Sequence, residues 1–223
     1  MASPPPLRRA LLAGATGLVG RAILPLLLRG HASVELLLRR VAPELGADPR
    51  LHPHVVDFAR LEGKLPAVDD VFIALGTTIA VAGSEAAFRA VDFDAVVETA
   101  RAARAAGATR LALVSALGAD ASSRVFYNRV KGEAEAAVRE LGFASVAIAR
   151  PSLLLGDREA LGQPARRMEA LAMRFSRPLA WLTPRAVRPI AAADVAAALV
   201  AATARGEPGV RILSSGDMQG AAG

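Results

Sequence analysis

The sequence predicts an α/β protein built on one mostly parallel sheet with helices on both faces. Three observations carry this. Short apolar runs alternate with helical stretches, and a strand buried on both faces reads as just such an uninterrupted run. Glycines mark the first junction between a run and a helix. The interior must be aliphatic, because 53% of the 223 residues are hydrophobic and only 4% aromatic.

Taken in order, MASPPP (residues 1–6) is expected to be a disordered tail, followed by a single domain over residues 7–223, long enough to bury a substantial core. Strands are expected at residues 10–13, 34–38, 54–56, 70–75, 111–114, 145–148 and 210–213. Helices are expected at residues 18–29, 85–106, 125–141 and 192–204. This alternation predicts a doubly wound sheet of about seven strands. The rhythm fails at residues 157–190, which contain Pro164, Pro178, Pro184, Pro189 and the only tryptophan, Trp181. A late irregular insert of this kind is expected to lie over the ligand crevice as a small cap. The final SSGDMQGAAG reads as a loose tail.

Composition narrows the function. The chain has no cysteine, which excludes disulfides and thiolate metal sites. His31, His52 and His54 have too few neighbouring ligands for a metal and read as surface loop residues, so no metal is expected. The longest uncharged stretch, residues 71–84, spans 14 residues and includes two glycines and two threonines, too short to cross a bilayer. No residue before Glu35 is acidic, a trait of transit peptides. That stretch already holds a strand, a glycine turn and a helix, so a soluble cytoplasmic protein is expected. The net charge of +6 comes from scattered arginines without a basic run or interleaved aromatics. A small anionic ligand is therefore expected, with neither nucleic acid nor membrane as partner, in a monomer or homodimer.

LLAGATGLVGRAILPLLL places Gly14, Gly17 and Gly20 between the first apolar run and the first helix. Glycines there let backbone N–H groups of the Gly14, Thr16, Gly17, Leu18 and Val19 turn approach a pyrophosphate, and the helix N-terminus adds partial positive charge. The spacing GxxGxxG is a variant of the Rossmann dinucleotide fingerprint. NAD-binding versions end the second strand on an acidic residue that accepts from the ribose 2′-OH. Here VELLLRR ends in Arg39 and Arg40, whose guanidinium groups suit a 2′-phosphate, so NADP (NADPH) is the expected cofactor. Asp57, beside Phe58 in VVDF, has two open uses: accepting from the adenine amino group, or capping the strand end. Leu75, Gly76 and Thr77, just past the fourth strand, should line the cofactor, since ligands in such sheets sit beyond the carboxyl ends of the strands.

The chain has 25 arginines but only two lysines, Lys64 and Lys131, and its one tyrosine, Tyr127, stands four residues before Lys131. Residues so spaced share a helical face. A neighbouring ammonium stabilises a phenolate and makes a tyrosine hydroxyl a better proton carrier near neutral pH. Lysine's compact charge can also reach a ribose hydroxyl. Ser115, closing the fifth strand, is placed to hydrogen-bond a substrate oxygen.

The ordered set GATGLVG, LVS, YNRVK and ARP resembles the short-chain dehydrogenase/reductase superfamily. ALGTTIAVAGSEAAFRAVDFDAV, VSALGADASSRVFYNRVKGEAE and RPSLLLGDRE are similar to its atypical branch of Tat-interacting-protein-like NAD(P)H-binding oxidoreductases. The resemblance is close over residues 8–158 and loose beyond. It implies a Rossmann-type fold in which Tyr127 is the acid/base, Lys131 tunes it and holds the nicotinamide ribose, and Ser115 orients the carbonyl. It further implies that the backbone near Pro151 contacts the nicotinamide amide. Asp92 occupies a place where many relatives carry an asparagine that anchors the lysine through water; a carboxylate there holds Lys131 more directly. Past Arg158 the sequence departs from the branch, so no substrate pocket is carried over.

The function expected is an NADP(H)-dependent oxidoreductase acting on a small carbonyl/alcohol pair. Two alternatives are a cofactor-sensing regulatory protein, which would need no proton donor, and a nucleotide-sugar epimerase, which would need a larger C-terminal domain than the residues after Pro151 provide. Arg158, Arg185 and Arg188 either meet an anionic substrate or solvate the cap.

Overall fold

The computed structural model describes residues 8–155 and 184–223. The first half of the fold holds β1 (Arg9–Ala13), α1 (Leu18–Gly30), β2 (Ser33–Leu38), β3 (Leu51–Val55) and β4 (Asp70–Ile73). It continues through α2 (Ile79–Ala82), α3 (Glu85–Arg89), a π-helical turn (Ala90–Asp94), α4 (Ala95–Ala105), β5 (Arg110–Val114), α5 (Phe126–Arg139) and β6 (Ser145–Arg150). After β7 (Leu154–Leu155), the described chain resumes before β8 (Ile190–Ala191), α6 (Ala192–Arg205), β9 (Gly209–Ser214) and α7 (Ser215–Met218). Seven strands form one sheet in the order β3-β2-β1-β4-β5-β6-β9, and every neighbouring pair is parallel. The strand order reverses between β1 and β4, so the crevice where ligands bind in such sheets opens there.

All seven expected strands lie in this sheet. The third begins at Leu51 rather than at 54, because it is an edge strand: Pro53, which lacks an N–H, leaves only the unpaired side short of a donor. Successive side chains alternate between two cores. Ala10, Leu12 and Leu36 pack with Ile23 and Leu27 of α1 and Val195 and Leu199 of α6. Leu11, Val71, Ile73 and Leu113 pack on the other side with Val96 and Ala100 of α4 and Val138 of α5. Helices on both faces of a parallel sheet leave its central strands no wet face, which is why they read as unbroken apolar runs.

Four readings need correction or limits. The helix expected over 85–106 is interrupted by the π turn, which carries the fully buried Asp92. The C-terminal segment is not loose: Ser214 and Asp217 form a capping box, and Ser215 and Met218 are fully buried. The histidines are not surface loop residues as a group. His31 bonds the buried Asp70 at 3.0 Å, and His54, on β3, lies 2.6 Å from Glu35. The cap expected over 157–190, Trp181 included, falls largely on residues 156–183, outside the described residues.

Asp70 opens β4 and is the hub of the sheet's amino end. It is 1% exposed; its Oδ1 accepts from Arg8 Nη2 (2.8 Å) and Arg110 Nε (2.6 Å), and its Oδ2 accepts from Arg110 Nη2 (2.7 Å) and lies 3.0 Å from His31 Nε2. It thus ties β1, β4, β5 and the end of α1 together. Burial alone would raise its pKa, but the bonds from His31, Arg110 and Arg8 outweigh burial and hold the carboxyl well below the usual carboxylate range. Because the folded-state value is depressed, this group stabilises the fold above the ordinary carboxylate range near pH 4, and the contribution fades as pH falls below it. Asp70→Asn should cost about 3–5 kcal/mol in urea unfolding at neutral pH, since it leaves the Arg110 guanidinium, only 16% exposed, without its carboxylate, and should flatten the acid limb of the stability curve.

Candidate functional site

In a parallel sheet every strand ends on the same side. Gly14 after β1, Arg39 and Arg40 after β2, Asp57 after β3, Leu75 to Thr77 after β4, Ser115 after β5 and Pro151 after β6 therefore share one rim. The first turn is shaped by close backbone approach. Gly14 has φ +93°, and a Cβ there would lie 2.5 Å from the carbonyl oxygen of Ala74 at the end of β4. A Cβ on Gly20 would lie 2.0 Å from the Gly14 carbonyl oxygen. Only glycine permits both contacts. At the start of α1, Gly17 has no side chain to cap the helix, and no acidic residue lies in its first turn. The helix N-terminus thus keeps its donors and partial charge for an anion. Leu18 is half-buried and Val19 belongs to the core, so their side chains are turned to the protein; Thr16 is exposed.

Arg39 and Arg40 are exposed, and neither has an ion-pair partner among the described residues. Asp57 is exposed and accepts from the Ala59 N–H at 3.0 Å. Phe58 packs against the second core. The Pro151 carbonyl accepts from Leu117 N–H at 2.9 Å, joining the end of β6 to the loop after β5.

α5 faces the stretch formed by α3 and the π turn. The Phe88 and Tyr127 rings lie 5.2 Å apart at 33°, and one turn further on Lys131 Nζ lies 2.7 Å from Asp92 Oδ1. Asp92 Oδ2 accepts from the Thr77 N–H at 2.9 Å. A Cβ on Gly76 would lie 3.4 Å from Asp92 Oδ1 and 3.6 Å from Lys131 Nζ, so the loop after β4 floors the pair. Tyr127 is half-buried, while Lys131 is buried. The expected tyrosine–lysine face, the expected β4 loop and Asp92 thus come together.

Ser115 keeps different company. Its hydroxyl donates to Glu135 Oε1 at 2.6 Å, and Glu135, 1% exposed, also accepts from Arg150 Nε (2.9 Å) and Nη2 (2.7 Å) and from Arg139 (3.2 Å). The paired carboxylate raises the Arg150 guanidinium's affinity for its proton, against a smaller opposing effect of burial. Glu135 and Arg150 escaped the sequence reading, although Tyr127, Lys131 and Glu135 sit at i, i+4 and i+8 on one face of α5. Gly132 was also missed; a Cβ there would lie 2.2 Å from the backbone of Asp120 and Ala121, so the loop after β5 rests directly on α5. Arg158 lies outside the described residues, and Arg185 is exposed. No cluster of potential metal ligands occurs among the described residues.

A family profile described as NAD(P)H-binding matches residues 14–205, and the chain belongs to that family. Protein HTATIP2 of Rattus norvegicus is 37% identical over 188 residues, covering 81% of this chain and 76% of that protein. The mitochondrial protein FMP52 of Coccidioides immitis is 37% identical over 163 residues, 66% of either chain, so slightly less than two thirds of its length is spanned. These matches bear out the resemblance to the Tat-interacting-protein branch. The fold is shared with the Bordetella bronchiseptica enzyme WbmG solved with NAD (TM-score 0.69, 17% identity, 97% of this chain and 75% of that one). It is also shared with a UDP-N-acetylglucosamine 4-epimerase of Methanobrevibacter ruminantium (TM-score 0.70, 16% identity, 94% and 77%). The doubly wound Rossmann-type fold is thereby established.

Because the Gly20 position faces backbone that cannot yield, Gly20→Ala should lower stability by about 1–3 kcal/mol, read as a fall in melting temperature. Titrated with NADPH below its melting point, the variant should bind more weakly than the wild type.

Proposed function

We propose that this protein is an NADP(H)-dependent oxidoreductase of the short-chain dehydrogenase/reductase type, acting on a carbonyl/alcohol pair of a small molecule. The observation that carries the reading is the shared helical face of Tyr127 and Lys131, whose lysine is held with Asp92 against the β4 loop, on the rim that begins with the glycine turn. The turn and uncapped helix start fit a pyrophosphate, since a Cβ at Gly14 or Gly20 would fill the space that the backbone uses. A bound nicotinamide supplies or accepts hydride; everything else falls to the chain. Lys131 would hold a ribose hydroxyl of the cofactor with the N–H directions that Asp92 leaves it. Tyr127 moves the proton at the substrate oxygen. Ser115, whose own proton goes to Glu135, has only acceptor capacity left for a substrate hydroxyl. Arg39 and Arg40, exposed just past β2, favour a 2′-phosphate.

No helix among the described residues is long and apolar enough to cross a membrane. The fungal relatives are named as mitochondrial; for this chain we propose the cytoplasm, as a monomer or homodimer without nucleic-acid or membrane partners.

Two measurements test the reading. NADPH should bind more tightly than NADH, and Arg39→Ala/Arg40→Ala should remove most of that difference while leaving NADH binding nearly unchanged; equal affinities in the wild type would remove NADP as the cofactor. In a screen of aldehydes, ketones and quinones followed by NADPH absorbance, Tyr127→Phe should lose at least about 100-fold in turnover with little change in NADPH affinity, because the hydroxyl acts in the transition state. Wild-type rates in Tyr127→Phe would make the tyrosine structural.

A further inference from the structure

Two pairs of residues meet across the contact between α5 and the α3–π-turn stretch, and both share the same sequence offset. Phe88 and Asp92 stand four apart on one side, Tyr127 and Lys131 four apart on the other. The lower rung stacks two rings; the upper rung joins two opposite charges at 2.7 Å. The upper rung is dry: Asp92 is fully buried, and the Lys131 side chain is 7% exposed. Asp92 is also fixed, because its second oxygen is held by the Thr77 N–H. The wide five-residue turn carrying Asp92 belongs to a class of helical irregularity that recurs at functional sites.

A lone ammonium one turn from a phenol favours the phenolate, whereas an ammonium in contact with a carboxylate presents little net charge at that distance. The other charged groups on the packed elements leave this balance alone. Arg89 pairs with Glu133 and lies over the Phe93 ring; Arg129 donates to the Ser123 carbonyl; Glu135 is engaged by Ser115, Arg139 and Arg150. Glu85, Asp94 and Arg124 are exposed to solvent, and residues 71–84 of the β4 loop and α2 carry no charge.

We propose that Asp92 is a positioning residue that aims Lys131 and, through its own charge, offsets the pull of the Lys131 ammonium on the Tyr127 hydroxyl, so that the tyrosine serves carbonyl reduction as the proton donor. This rests on Tyr127 being the acid/base group. With a reduced nicotinamide supplying hydride to the carbonyl carbon, Tyr127 gives its proton to the oxygen. The C=O becomes CH–OH, two electrons pass from the dihydronicotinamide to the substrate, and the phenolate regains a proton from water.

The chain's single tyrosine makes the test direct, since tyrosinate ultraviolet absorbance during a pH titration has one source, and Tyr127→Phe should abolish it. Relative to wild type, Asp92→Asn should move the titration to lower pH by about one unit or more, and Lys131→Met should move it to higher pH. The double variant Asp92→Asn/Lys131→Met removes the pair as a unit, leaves no lone buried charge, and should return close to wild type. An Asp92→Asn curve that coincides with wild type or moves upward would overturn the proposal. If that variant does not fold, a double variant titrating like Lys131→Met overturns it instead. Once a substrate is found, Asp92→Asn should also shift the high-pH fall of carbonyl reduction downward by the same amount. The titration needs no turnover. A failed substrate screen would count against the oxidoreductase reading alone, and unmoved titration curves would count against Asp92 alone.

Discussion

The approach of the first turn to the end of β4 sets the geometry on which the rest of the site depends. Ala74 and Gly14 touch through backbone because Gly14 has no side chain, and α1 can start where it does because Gly20 has none. β1 and β4 are neighbours in the sheet although β2 and β3 lie between them in sequence, and this reversal opens the crevice. Had either glycine carried a Cβ, the helix start would stand off the sheet, and its free N–H groups would no longer point into that opening.

The two ends of the sheet are built on opposite principles. At the amino end, Asp70 gathers Arg8, Arg110 and His31 into a buried network in which every carboxylate oxygen is used. Removing the carboxylate from such a network is costly, because Arg110, 16% exposed, would keep a largely buried charge without its partner. At the carboxyl end, the strands finish in glycines, exposed arginines and an uncapped helix start. Donors left unsatisfied there are a cost the fold accepts where a ligand can satisfy them. The same division separates rigidity from binding in many open α/β sheets.

Between these ends, α5 organises the chemistry. One of its faces carries Tyr127, Lys131 and Glu135, and each meets a partner from a different part of the chain: Phe88, Asp92, and the pair Ser115 and Arg150. Gly132 lets the loop after β5 lie flat on the helix between these contacts. Ser115 is consequently locked to a carboxylate, which sets it apart from Tyr127 as a proton source.

What could be read in the sequence was what depends on neighbours along the chain. Unbroken apolar runs marked the strands, a 3.6-residue period marked the helices, glycines marked the phosphate turn, and the spacing of Tyr127 and Lys131 put them on one face. Even the direct hold of Asp92 on Lys131 was legible, through family resemblance. Contacts between distant segments were not. Nothing local shows that His31 reaches Asp70, that His54 reaches Glu35, or that Ser115 gives its proton to Glu135, since each bond forms only once sheet register and helix packing bring the two groups together. Ser214 and Asp217 look like a polar tail until Ser215 and Met218 are seen buried. Local patterning determined which elements form and which faces they present. The tertiary structure decided which polar groups meet, because a buried hydrogen bond is settled by distances of a few tenths of an ångström that no periodicity encodes.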